Sequence, residues 1–182
     1  MNRKYEFTQL NISNAVLIDT LCAKDDRGEV CKTYSKEAFE KQGICFEPVE
    51  SIQIISKKNV LRGIHFQKIY GQPKLIRVEQ GHIFAVMVDI NIKSTTFGKW
   101  ISFDMINDGK EIYVPGDCAF GSLALEDSVI ACSCGSEFIA KYSDGIRWND
   151  SVLDIDWPLW KLEGEPIISE KDERLSNFNS IC

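Results

Sequence analysis

Leu75-Ile-Arg-Val-Glu-Gln-Gly-His-Ile-Phe-Ala-Val-Met-Val88 is the stretch that decides the fold. Two short aliphatic runs, Leu75 to Val78 and Ile83 to Val88, flank Gly81, and runs of that length bounded by glycine read as strands. The same grammar extends in both directions. Toward the N-terminus lie Ile52-Gln-Ile-Ile55 and Val60-Leu61, and earlier Asn14-Ala-Val-Leu-Ile-Asp19, which ends at the turn-rich Lys24-Asp-Asp-Arg-Gly28. Toward the C-terminus follow Trp100-Ile-Ser-Phe103, Glu111-Ile-Tyr-Val114, Gly121-Ser-Leu-Ala-Leu125 and Ser128-Val-Ile-Ala-Cys132, with Gly63, Gly71 and Gly98 as further punctuation. Many short strands with few helical patterns between them indicate a mostly β chain folded as a sandwich or closed barrel, and a jelly roll is the natural candidate. One early helix is expected from Lys36 to Lys41. A second is expected to start near the C-terminus, with Ser169 capping and Asp172 in the first turn. No repeat, low-complexity tract or linker interrupts the 182 residues, so a single domain over residues 1–182 is expected.

A chain of this size has room for a real core, and 44% hydrophobic with 26% charged residues is ordinary globular composition. The net charge of -6 argues against a general nucleic-acid binder, which needs basic surface to displace counterions from phosphate. Met1-Asn-Arg-Lys-Tyr5 leads into polar residues with no apolar leader core, and no apolar run reaches membrane length, so no membrane association is expected. Seven cysteines without a Cys-x-x-Cys pair imply neither a disulfide framework nor a zinc site. Cys132 and Cys134 would share one face of a strand as reduced core thiols, and the expected compartment is the cytoplasm.

The chain has only two histidines, His65 and His82, too few to build a metal centre in a β-barrel, so no metal is expected. His82 follows Gly81 and reads as an exposed turn residue. His65 sits in Arg62-Gly-Ile-His-Phe-Gln67. Strict alternation puts Gly63, His65 and Gln67 on one face and Arg62, Ile64 and Phe66 on the other, with Gly63 leaving space beside the imidazole. A barrel interior holding His and Gln with little bulk is a polar pocket, though a structural hydrogen-bonded histidine would look the same.

Asn59-Val-Leu-Arg-Gly-Ile-His-Phe-Gln67 resembles the signature of the dTDP-4-dehydrorhamnose 3,5-epimerase family. Further matches follow in family order: Pro73-Lys-Leu-Ile-Arg-Val78, Phe84 to Asp89, Thr96-Phe-Gly-Lys-Trp100, Gly145-Ile-Arg-Trp-Asn-Asp150, Ile155-Asp-Trp-Pro158 and Ser169-Glu-Lys-Asp172, with Asp25-Asp-Arg-Gly28 near the N-terminus. The resemblance spans nearly the whole chain. It implies a cupin-type jelly roll with a few short helices, a homodimer, no cofactor, and a nucleotide-diphosphate sugar as ligand. It makes His65 the catalytic base, Asp172 its partner and Lys74 the group beside the developing enolate. It assigns Arg62 and Arg27 to the substrate, Arg27 at the nucleotide end. Gln67, Phe120 and Ser133 complete the expected substrate site.

These residue types suit the chemistry. A neutral imidazole takes a proton from carbon beside a ketone if the enolate oxygen is stabilised as it forms. A carboxylate behind the histidine fixes its tautomer, an ammonium faces the oxygen, and arginine forks match phosphate. Three departures from the family pattern alter the expected outcome. Ala119-Phe120-Gly121 stands where the family has Ala-His-Gly. An ungapped match puts the family's proton-returning tyrosine on Ser133. The polar run before the signature reads Glu50-Ser-Ile-Gln-Ile-Ile55. Deprotonation with altered reprotonation is therefore expected: epimerisation of a 4-keto-6-deoxy sugar at one centre, with water, Ser133 or a cysteine as opposite-face donor. The alternatives are a relocated acid acting on a differently decorated sugar, a ketoisomerase, or a binding protein that keeps the pocket without turnover. Tyr142, Glu137 and Asp117 are candidate replacement acids, each with a surface role as the simpler reading.

Overall fold

The computed structural model describes residues 4–181. Its frame is two antiparallel sheets. The first runs in the order β1 (Glu6–Gln9), β2 (Val16–Asp19), β10 (Lys110–Val114), β7 (Lys74–Gln80), β12 (Ser128–Cys134) and β5 (Glu50–Ser56). The second runs β13 (Ser143–Gly145), β6 (Leu61–Gln67), β11 (Cys118–Ala124), β8 (His82–Asp89) and β9 (Trp100–Ile106). Strands that neighbour one another in space are mostly distant in sequence, as a jelly roll requires. The stretch from Leu75 to Val88 thus feeds both sheets, with Gly81 at the crossing (φ 80°). A Cβ on Gly81 would lie 2.2 Å from the Asp127 carbonyl oxygen, so only glycine fits this corner.

Alternation along each strand sorts side chains between three cores. Ile76, Val78, Ile112, Ile130, Cys132 and Cys134 of the first sheet meet Ile83, Ala85, Met87 and Cys118 of the second in the central layer. Each Ile or Met buried this way contributes about 1.5–3 kcal/mol. The back of the second sheet is covered by the C-terminal third, with Ile146, Leu153, Trp157 and Phe178 packed on Ile64, Val86 and Leu123. The Gly145–Asp150 and Ile155–Pro158 motifs serve this cover. Trp157 donates its indole N–H to the Trp148 carbonyl (2.8 Å), and Asp150 accepts backbone N–H groups from Val152, Leu153 and Phe178. The back of the first sheet is covered by α1 (Lys36–Glu40) through Phe39, with Val16, Ile18 and Phe46. Ser169 caps α2 (Glu170–Glu173) by accepting the Asp172 N–H at 3.1 Å, as its sequence predicts.

Three expectations change. A hairpin of β3 (Leu21–Asp25) and β4 (Gly28–Lys32) stands outside both sheets; it shows no apolar alternation because it is exposed along most of its length. Its register sets Cys22 directly opposite Cys31, Cα atoms 4.1 Å apart, and the two are joined as a disulfide, where the cysteine count and spacing implied no disulfide framework. Cys45, Cys118, Cys132 and Cys134 are free. Glu6–Gln9 pairs with β2 of the same chain, while residues 1–3 lie outside the described residues. His82 is the first residue of β8, and its Nε2 lies 2.7 Å from an Asp104 carboxylate oxygen. Among the described residues, no helix is long and apolar enough to cross a membrane.

Candidate active site

His65 lies on β6 between Phe120 of β11 and Gly145 of β13. Gly145 gives the imidazole room, since a Cβ there would stand 3.1 Å from His65 Cδ2 and 2.7 Å from the Ile64 carbonyl oxygen. The C-terminal segment folds over the second sheet and brings Asp172 to the ring, 107 residues away in sequence: His65 Nε2 and Asp172 Oδ1 are 2.9 Å apart. The Asp172 side chain is 7% exposed, and its other oxygen accepts the Gly63 N–H at 3.1 Å. Burial raises the Asp172 carboxyl, but the bond to His65, that ring's charge, the Gly63 N–H and the Ser169 hydroxyl outweigh it and hold the group below its ordinary value. Asp172 is thus an acceptor. An acceptor at Nε2 fixes the proton there and leaves Nδ1 with the free lone pair.

Arg62 and His65 both line one cavity, although alternation predicts opposite faces. Phe120 pairs with His65 while Ser122 pairs with Arg62, so Gly121 alone faces both Gly63 and Ile64 of β6. This bulge resets the parity. Gly63 takes φ 112° at the bulge, and a Cβ on it would lie 2.7 Å from Gly121 Cα and 2.9 Å from the Phe120 carbonyl oxygen. Its lack of a side chain therefore admits a neighbouring backbone rather than a ligand. Arg62 donates from Nε to Ser56 Oγ (3.0 Å) and from Nη2 to the Ile55 carbonyl (3.1 Å), which ties β6 to the end of β5.

The cavity, of about 130 Å³, lies between the sheets. Arg62, His65, Phe120, Gly121 and Ser122 form the wall from the second sheet, while Ile52, Ile54, Lys74, Ile76, Ile130 and Cys132 form the wall from the first. Pockets that bury a whole drug-sized ligand measure about 300–1,000 Å³, so this one suits the reacting edge of a sugar with the rest of the ligand outside. Lys74 donates to the Gln72 carbonyl (3.1 Å) and pairs across the sheet with Cys134. Burial lowers its pKa, and the neighbouring sulfurs of Cys132, Cys134 and Cys118 oppose that shift. Cys132 and Cys134 share a face as expected, their sulfurs 3.7 Å apart. The bond to Cys134, then burial, raise the Cys132 thiol, which therefore stays protonated. A larger cleft, about 860 Å³, lies elsewhere, among Phe66, Lys68, Ile90, Tyr113 and Asp117, and none of His65, Asp172 and Lys74 lines it. Chemistry rather than size makes the smaller cavity the candidate site.

His65, Lys74, Arg62 and Phe120 thus line one space, with Asp172 bonded to His65 behind it, whereas three other expected site residues are not part of it. Gln67 is buried, and its side chain donates to the Tyr70 and Glu137 carbonyls (both 3.3 Å) and accepts the Ile139 N–H (2.6 Å), so it pins a loop. Ser133 pairs with Leu75, whose side chain belongs to the core behind the first sheet, so Ser133 faces away from the cavity. Arg27 sits at the tip of the β3–β4 hairpin, 89% exposed and held by Asp25. Of the candidate replacement acids, neither Tyr142 nor Glu137 nor Asp117 lines the cavity. Cys132 does, and was missed as a site residue. The signal was available: a strand that turns Cys132 and Cys134 inward must turn Ser133 outward.

A family model described as dTDP-4-dehydrorhamnose 3,5-epimerase matches residues 9–180. A dTDP-4-dehydrorhamnose 3,5-epimerase of Methanothermobacter thermautotrophicus is 34% identical over 171 residues, covering 93% of this chain and 92% of the relative. Among solved structures, the dTDP-6-deoxy-D-glucose-3,5-epimerase of Legionella pneumophila in complex with dTDP-4-keto-L-rhamnose superposes with a TM-score of 0.91 at 28% identity, covering 98% of this chain and 95% of that one. ChmJ, a 3'-monoepimerase from Streptomyces bikiniensis in complex with dTDP-quinovose, superposes with a TM-score of 0.86 at 27% identity, covering 94% and 87%. The two-sheet cupin-type frame and the similarity along its whole length agree, and the chain belongs to the dTDP-4-dehydrorhamnose 3,5-epimerase family of carbohydrate isomerases.

Proposed function

We propose that this protein epimerises a nucleotide-linked 4-keto-6-deoxy sugar at one carbon beside the ketone, with His65 as base. The observation that carries the reading is the 2.9 Å contact between His65 Nε2 and the buried Asp172 carboxylate, at a cavity whose facing wall presents Lys74. His65 Nδ1 takes the carbon-bound proton, Asp172 stabilises the imidazolium, and the Lys74 ammonium stabilises the enolate oxygen. Enolising a carbon acid needs that oxygen stabilised within a low-dielectric space, which the apolar lining of Ile52, Ile54, Ile76 and Ile130 supplies. The relatives in complex with dTDP-linked sugars support a nucleotide sugar as substrate, and the monoepimerase among them supports inversion at a single centre on this scaffold.

The homodimer and the cytoplasmic location belong to the same proposal. The first is supported by β5, a seven-residue edge strand with Ile55 67% exposed, and the second by the free thiols of Cys45, Cys118, Cys132 and Cys134 among the described residues, with the Cys22–Cys31 disulfide as the opposing observation. The test is NMR of dTDP-linked 4-keto-6-deoxy sugars incubated with the protein in heavy water. Deuterium entering one carbon beside the ketone, with inversion there, is the expected result. A sugar nucleotide that binds and exchanges at no carbon refutes the enzyme, and inversion at both flanking carbons refutes the single centre.

A further inference from the structure

Inversion at carbon needs a proton acceptor on one face and a donor on the other. His65 belongs to the wall of the second sheet, so the donor must come from the first. That wall contributes Ile52, Ile54, Lys74, Ile76, Ile130 and Cys132, and only Lys74 and Cys132 among them carry a transferable proton. The hydroxyl of Ser122 stands on the same strand as Phe120 and pairs with Arg62, and so lies on the wall of His65. Ser133, next to Cys132 on β12, faces the opposite side of the sheet.

We propose that Cys132 is the acid that returns a proton to the sugar on the face opposite His65. The inference rests on the epimerase reading above and supplies its missing half. The surroundings suit the task. Cys132 is 3% exposed, so bulk water does not compete for the face it covers. The contact with Cys134 and burial raise the Cys132 thiol, so it rests protonated, as the donor to an enolate carbon must. The thiolate it leaves faces the Lys74 ammonium, which lines the same wall of the cavity and pairs with Cys134 on the adjoining strand.

The step balances without any co-reactant. His65 Nδ1 takes the proton from carbon, and the electron pair of that C–H bond moves into the enolate, whose oxygen faces Lys74. The enolate carbon then takes the proton of the Cys132 S–H on its other face; the S–H bond breaks as the new C–H bond forms, and the ketone is restored. The imidazolium gives one proton to water and the thiolate takes one back. No net charge or redox change remains.

The experiment compares wild type, Cys132→Ala and Cys132→Ser in a Cys45→Ser background, which removes the exposed thiol. Each is incubated in heavy water with a dTDP-linked 4-keto-6-deoxy sugar, and deuterium entry and configuration are read at the same carbon by NMR. Both variants are expected to keep deuterium entry, with the original configuration retained, within about tenfold of wild type, because His65 still removes and returns the proton on its own face. Inversion is expected to fall by at least about 100-fold, the scale of a lost general acid. Retained exchange also reports a folded cavity. Inversion within about threefold of wild type in Cys132→Ala overturns the assignment. So does loss of exchange together with inversion in a variant that melts as wild type does, since Cys132 would then serve the first proton transfer. Absence of exchange in the wild type fails at the earlier step and removes the epimerase reading and this assignment together.

Discussion

Replacing Asp172 by Asn tests the dyad more sharply than deleting the side chain. The carboxylate meets two donors at once, the imidazole Nε2–H at 2.9 Å and the Gly63 N–H at 3.1 Å. An amide offers one oxygen and one NH2. The Gly63 N–H is fixed by a bulged backbone and can only donate, so the Asn oxygen must turn to it and the NH2 to His65. An NH2 facing Nε2 forces the ring proton onto Nδ1, the atom required as base. Losing a hydrogen bond to a charged partner costs about 1.5–3 kcal/mol, or about 10- to 150-fold in rate. The wrong tautomer adds to this and brings the expected loss in kcat to about 10³–10⁴. Asp172→Ala, which leaves the ring free to choose its tautomer, is expected to lose only the smaller factor. Steady-state deuterium exchange of the sugar measures the rates, and the 15N shifts of His65 report which nitrogen carries the proton. An Asn variant within tenfold of wild type, or one whose His65 keeps its proton on Nε2, refutes the reasoning.

Lys74→Met is expected to lower kcat for deuterium exchange by about 10²–10³, the scale of a removed oxyanion donor, while ligand affinity by titration calorimetry changes far less. Gly63→Ala places a Cβ 2.7 Å from Gly121 Cα at φ 112°, where neither backbone can yield, and is expected to cost more than about 3 kcal/mol in urea unfolding. Glu111→Gln tests a different burial. Glu111 is fully buried, neither of its oxygens has a hydrogen-bond partner among the described residues, and Arg77 Nη1 lies 3.8 Å from Oε1. Burial pushes its pKa up to about 8. A carboxyl raised in the folded state favours folding most below its unfolded value near pH 4.5, and that stability is lost as pH rises through the folded value. The Gln variant is therefore expected to melt like wild type at pH 4.5 and about 4–8 °C higher at pH 9, equivalent to about 2 kcal/mol, by calorimetry; equal melting at both pH values counts against it.

The sequence by itself determined the strands, because glycine-bounded aliphatic runs such as Leu75–Val78 and Ile83–Val88 have few other ways to bury themselves. It also determined the Ser169 cap and, through motif resemblance, the set His65, Asp172 and Lys74, since these depend on local residue type and order. The β3–β4 hairpin was not legible, because exposed strands carry no burial pattern, and with it went the pairing of Cys22 with Cys31. Which side chains share the cavity was decided only by the tertiary structure. The bulge at Gly63 arises from how β6 packs on β11, a partner more than 50 residues away in sequence, and it turns Arg62 toward His65 against the strand's own alternation. Ser133 and Cys132 differ by one position, and the register of β12 against β7 assigns one to the outer core and the other to the cavity. Residue types are local and survive in the sequence; parity across strands is a property of packed neighbours, and a shift of one residue reverses it.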